Sequence, residues 1–375
     1  MSTQALNEPR MLLTITALLP VLLDEEESDH EKNKQVLNEL GLLRLCPIPD
    51  IVQASHPQSD PSFSIQHYSN IPGIQSLFHD SKQFYHSTRI TITEFILIHD
   101  ALVDIITSVR SNSQSISHDH NHSHPRLTPA EELLLWICHV VGSPTPMLEL
   151  IFSHLSYTTI HRYADHVTRC INSRFSHMIQ WPEAEDRKAL HGTFSLSDNV
   201  IAVLDGTHCP LQRPTYDERE YYSGYKGYHS QNFLIACNVF AIIIYVDGPY
   251  PGRENDRGVY NQSELARNPS NFVSNDEVIL ADGGFIGGSP LLCPIHIDDI
   301  NNQTDEKKRN DMLEFNEELT ANRILIEDVF SWLKSRAKVL ATKFSRKRET
   351  QADIMFAACR YYNFIRSHRI QYAMI

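Results

Sequence analysis

An apolar run that stops on an acid occurs twice in this chain, and it constrains the fold more than any other feature. Residues 199–205 read "NVIAVLD" and residues 278–282 read "VILAD", and each is followed by glycine. Short runs of this kind, rich in β-branched residues, read as buried strands. An ionised aspartate at the mouth of such a strand is costly to desolvate. A turn-forming Asp accounts for either stretch alone, because Asp, Gly, Thr and His all suit the turn expected at Gly206, Thr207 and His208. If the two strands are neighbours in one sheet, however, both carboxylates meet at one edge.

The elements around them have a definite order. "NVIAVLD", "QNFLIACNVF" and "AIIIYVDG" are three apolar runs separated by turn signals. "DRGVYNQSELAR" then reads as a helix, "EVILADGGF" as a fourth strand, and "ANRILIEDVFSWLKSRAKVL" as a long amphipathic helix. This is the order of an RNase H-like α/β core, a mixed sheet flanked by helices. Asp205 closes the first strand, Asp256 follows the third, Asp282 closes the fourth, and Glu327 lies on the long helix. Clustered carboxylates repel and protonate unless a cation intervenes. Mg²⁺ or Mn²⁺ with oxygen ligands supplies that cation. A pair of such ions activates the attacking water and stabilises the leaving 3′ oxygen of a phosphodiester.

On the long helix, Ile326, Phe330, Leu333, Ala337 and Leu340 form the expected buried stripe. Beside it runs a second stripe of Arg323, Glu327, Ser331, Lys334 and Lys338. As a solvated face, that stripe offers an Arg323–Glu327 pair worth about 0.3 kcal/mol. As a functional face, Glu327 is a metal ligand and the cations are phosphate contacts. "KFSRKRE" downstream adds Lys343, Arg346, Lys347 and Arg348.

Upstream, residues 1–110 form an α-leaning region in which "TRITITEFILIHDALVDIITSVR" is a helix after an extended start. Residues 111–126, "SNSQSISHDHNHSHPR", read as a His/Ser-rich linker. His118, His120, His122 and His124 there can bind zinc or nickel, but the segment offers no fold to pre-organise them. Residues 127–195 are helical: Thr128 is an N-cap, Pro129 opens a helix and Gly142 closes it. The three helices of this region match a helix-turn-helix, with Tyr157, Thr158, His161 and Arg162 near the start of the last one. Residues 111–180 carry four basic and five acidic groups, so a plain helical bundle fits as well. Residues 196–370 make up the nuclease core.

The net charge of −13 excludes a chain wrapped in positive field. The balance is uneven, with four Lys/Arg against ten Asp/Glu in residues 1–60 and eleven against four in residues 321–375. A basic C-terminal end suits a polyanion. Seven scattered cysteines without CxxC spacing imply reduced thiols in an intracellular protein. "MLLTITALLPVLL" is broken by Pro20 and followed by "DEEE", so it reads as a packed helix and the chain as soluble, with no membrane partner.

Taken in order, "LDGTHCPLQRP", "YYSGYKGYHSQN", "ENDRGVY", "LADGGF", "NRILIEDVFSWLK" and "AACRYYNFIRSH" resemble the PIF/Harbinger-type DDE transposases over residues 125–368. The resemblance implies an RNase H-like nuclease behind a helix-turn-helix region. It implies Mg²⁺- or Mn²⁺-dependent hydrolysis at transposon ends, then joining of the 3′-OH to target DNA. It places the catalytic acids on Asp205, Asp282 and Glu327, a further metal-site acid on Asp256, and Lys226 and His229 beside the site. Its implied partners are DNA and a Myb-like DNA-binding protein, in the nucleus; a homo-oligomer stays open. The sequence departs from the family at Asn255, where His is usual, and at "DGGF", where "DSGY" is usual. The polar stretch "IDDINNQTDEKKRNDMLEF" is longer than usual. No acid is lost, but a domesticated DNA-binding or adaptor protein without nuclease activity stays open.

Overall fold

The computed structural model describes residues 71–112, 127–152 and 155–372. Residues 1–70 and 113–126, with the four linker histidines, lie outside that range, and the expected linker start at 111 falls within a helix that runs to Asn112. Contacts divide the described residues into two units: residues 71–177 with Trp332–Tyr362, and Met178–Ser331 with the residues from Asn363 onward. No helix among the described residues is long and apolar enough to cross a membrane.

The first unit is helical. Helices α1 (Pro72–His79), α2 (Ser81–Thr88) and α3 (Ile92–Asn112) enclose an aromatic cluster. Phe78, Phe84 and Phe95 have ring centroids 4.9, 5.3 and 5.7 Å apart. Next, α4 (Pro129–Val141) begins with a full capping box between Thr128 and Glu131, and Gly142 ends it in the left-handed conformation. Trp136 on α4 is buried and donates to Thr168 Oγ1 at 2.9 Å, which ties α4 to α6 (Tyr157–Arg174). Between them lies α5 (Thr145–Ile151). Tyr157, Thr158 and Arg162 are exposed, whereas His161 is half-buried, its ring packed on His139 and Tyr157.

A mixed sheet forms the second unit. Its strands are β1 (Val200–Pro210), β2 (Tyr222–Ser223), β3 (Tyr228–Cys237), β4 (Ile243–Pro251), β5 (Val278–Leu280) and β6 (Leu291–Leu292). The path runs β2-β3-β1-β5-β6, with β4 also pairing to β3. β1 is antiparallel to β3 and parallel to β5, so the two acid-bearing runs are indeed neighbours. Val200 to Leu204 have no exposed surface, as their side chains predict. A mixed sheet with helix α7 (Asp256–Gln262), α8 (Glu306–Arg336) up to Ser331 and α9 (Arg348–Tyr372) from Asn363 onward is compatible with an RNase H-like core. Asn363 on α9 pins the start of β4: its Oδ1 accepts from Ile243 N at 2.9 Å, and its Nδ2 donates to Ile243 O at 2.7 Å.

Three local expectations change. Asp205 does not end its strand, because β1 loses β5 as a partner but keeps β3 as far as Pro210 opposite Ser230. "DRGVYNQSELAR" is two helices, since buried Ser263 ends α7 and its hydroxyl caps Glu264–Arg267. The long helix starts at Glu306 and stops at Arg336. Asp305 sets that start, accepting from Lys307 N at 3.0 Å and Lys308 N at 3.3 Å.

Candidate active site

Parallel pairing puts Val203 opposite Leu280, and two residues further along each chain stand Asp205 and Asp282. Each aspartate spends one oxygen locally. Gly206 N donates to Asp205 Oδ1 at 2.7 Å, and Gly284 N donates to Asp282 Oδ1 at 2.8 Å. The other oxygen of each faces one cation. Arg323 Nη2, from α8, is 3.4 Å from Asp205 Oδ2 and 4.0 Å from Asp282 Oδ2. The turn role and the cluster role therefore coexist on different atoms of the same side chains.

Asp256 is the first residue of α7, which Asn255 caps by accepting from Gly258 N at 2.7 Å. Its carboxylate lies between the two glycines that follow the other acids. A Cβ on Gly206 would stand 3.0 Å from Asp256 Oδ1, and one on Gly284 would stand 2.7 Å from Asp256 Oδ2. These glycines are thus more than turn residues: they leave room for a third carboxylate. Gly206 directly after Asp205, and the Gly283–Gly284 pair after Asp282, were the available signal for that role. Asn232 was not legible. It is fully buried on β3, its Oδ1 3.5 Å from the same Gly206 Cβ position, and its amide finds no partner among the described residues.

Burial pushes Asp205 from its ordinary 3.8 up to about 6. Asp282 and Asp256 add to that rise, while the Gly206 amide and Arg323 oppose it. Asp256 is raised by burial and by Asp282, against Lys226 and Arg323. Three acids share two nearby cations, so the cluster is short of positive charge.

The other expected residues are distributed as follows. Glu327 is exposed, one turn beyond Arg323. Among the described residues no group of three or more His, Cys, Asp and Glu is arranged to hold a metal ion. Arg323 corrects the expectation of an exposed face: its side chain is 14% exposed and turned to the aspartates, whose charge it partly offsets. Lys226 is exposed, 4.9 Å over the ring of Tyr225. His229 Nε2 is 3.2 Å from Glu218, which also accepts from Arg213 at 2.9 Å, so this imidazole is held in a local pair. Lys334, Lys338, Arg346, Lys347 and Arg348 belong to the helical unit. Arg346 is engaged there by Asp165, whereas Lys338 and Lys347 are exposed.

All four acids and Arg323 fall within residues 204–363, which match the model of the DDE superfamily endonuclease. The chain is also similar to proteins named "Putative nuclease HARBI1". It is 27% identical to the Homo sapiens protein and 26% identical to that of Bos taurus, each over 223 residues and 57% of this chain. It spans about 60% of the length of those relatives. No solved structure matches it. The donors at the acid edge are all carboxylate oxygens, which suits a hard divalent cation and not a soft one.

Proposed function

We propose that the chain is a divalent-metal-dependent DNA endonuclease and transposase that cuts phosphodiester bonds at transposon ends and joins the 3′-OH to target DNA. The observation that carries this reading is the pair of Oδ2 atoms of Asp205 and Asp282 turned to one point, with Asp256 wedged beside them. On this reading Asp205, Asp256 and Asp282 hold Mg²⁺ or Mn²⁺, with Glu327 completing the ligand set. The bound metal supplies an activated water and a stabilised leaving oxygen. The Gly206 and Gly284 amides fix the two carboxylates in orientation, each through its Oδ1. Lys226, exposed and close enough to act on the charge of Asp256, positions a phosphate. Lys334, Lys338, Lys347 and Arg348 are proposed as DNA contacts of the helical unit, which carries the helix-turn-helix reading. A chromosomal DNA substrate places the protein in the nucleus, with a Myb-like partner and self-association as part of the same proposal.

A plasmid bearing transposon-end repeat DNA tests the proposal. With Mn²⁺ the wild-type protein nicks it, whereas Asp205→Asn and Asp282→Asn bind it in a gel shift without nicking. Nicking by Asp205→Asn at the wild-type rate would overturn the assignment. The exposed position of Glu327 favours a second reading, a DNA-binding adaptor with an inactive core. Wild-type protein that shifts the DNA but never cuts it selects that reading.

A further inference from the structure

We infer that Arg323 is the internal counter-ion of the acid edge, that it competes with a divalent metal ion for the Oδ2 atoms of Asp205 and Asp282, and that a DNA phosphate drawing it away raises metal affinity. The inference rests on the metal-site reading above and adds a regulatory step to it. Arg323 bridges both oxygens, but at 3.4 and 4.0 Å. A seated charge-assisted hydrogen bond is about 2.8 Å long. The guanidinium therefore offsets the charge of both acids without being locked to either. A dication on the same oxygens sits within a few ångströms of it, where like charges repel. Arginine cannot relieve that repulsion by losing its proton, so it must move.

Two further features give it somewhere to go. Arg323 Nε is buried and finds no acceptor among the described residues, so the guanidinium is only partly satisfied where it stands. A phosphate matches its planar fork better than two carboxylate oxygens that each already hold a backbone amide through the partner oxygen. Glu327 is one helical turn away and exposed, an alternative partner at i+4 spacing. If phosphate removes Arg323 from the acids, metal and DNA each tighten the binding of the other, because coupling between two sites is reciprocal.

The test is a calorimetric Mn²⁺ titration of metal-stripped wild-type protein, Arg323→Gln, Arg323→Lys and Asp205→Asn, with and without a short DNA duplex. Arg323→Gln is expected to bind Mn²⁺ about tenfold tighter than wild type, while Arg323→Lys stays near wild type. Without metal, Arg323→Gln melts at a lower temperature, and Mn²⁺ raises that temperature more than it does for wild type. The duplex tightens Mn²⁺ binding to wild type and leaves Arg323→Gln unmoved. Loss of a merely structural arginine predicts weaker metal binding, so the sign separates the two roles. Equal or weaker Mn²⁺ binding by Arg323→Gln overturns the inference and leaves the metal site standing. Wild-type Mn²⁺ binding that Asp205→Asn does not weaken overturns both. If Arg323→Gln does not fold, wild-type affinity that is unchanged by the duplex overturns the inference.

Discussion

Strand β5 is three residues long and has an acid at each end, and the two ends differ in how charge is settled. Before it, Glu277 is 3% exposed and fully partnered. Its Oε2 accepts from Arg187 Nε and from Ser274 N, both at 2.7 Å, and its Oε1 lies 3.3 Å from His191 Nε2. Burial alone would raise this carboxyl, but the Ser274 amide, Arg187 and His191 outweigh burial and hold it below the usual Glu range. Past the other end, Asp282 faces Asp205 and Asp256, and the loosely placed Arg323 is the nearest cation. The first arrangement stabilises the fold. The second holds carboxylates in place with charge left over, the condition a site for a cation requires.

Breaking the satisfied end is expected to have the largest effect. Glu277→Gln leaves Arg187 buried beside a neutral amide and lowers unfolding free energy by about 3 kcal/mol, measured in urea. The Glu277 carboxyl lies below its unfolded value, so its contribution is present above the ordinary Glu range and lost as pH falls through the folded value. The stability gap between wild type and Glu277→Gln therefore closes on acidification.

At the other end, Gly284→Ala places a methyl 2.7 Å from Asp256 Oδ2. It is expected to cost about 2 kcal/mol in the same measurement, through forced displacement of that carboxylate. Gly283→Ala is the control, because a Cβ there meets only Pro294, at 3.8 Å.

The smallest effect has the opposite sign. Asp205 is raised to about 6, so its contribution to stability is present below about 3.8 and lost as pH rises through about 6. Asp205→Asn, which carries no charge, is expected to be about 1 kcal/mol more stable than wild type at pH 7 and equal to it near pH 4. Thermal melts across that range check the prediction. A destabilised Asp205→Asn at pH 7 would mean that the acid cluster past β5 is as fully compensated as Glu277 before it.

Much of the sheet unit was legible because its signals are local. Val200–Leu204, Phe233–Cys237 and Val278–Leu280 are apolar runs, and they fold as strands that are buried save at Val278. Thr128, Pro129 and Gly142 bound a helix by hydrogen bonds that span a few residues, and the ends fall where they predict. The helix start at Glu306 was hidden because the run after it is polar on every side, with its cap at Asp305 as the only cue. The continuation of β1 past Asp205 was hidden because it depends on β3, whose paired residues lie 20 to 28 positions further along the chain.

The sequence by itself determined that two buried strands end near acids and that glycine follows each acid, because burial of apolar side chains and turn chemistry are written in neighbouring residues. Only the tertiary structure decided which oxygen of Asp205 and Asp282 is spent on a turn and which is left over. It also decided that Asp256 fills the space beside Gly206 and Gly284, and that Arg323, 118 residues from Asp205, faces the acids and not the solvent. Charge compensation acts through distances in space, and no spacing along the chain records them.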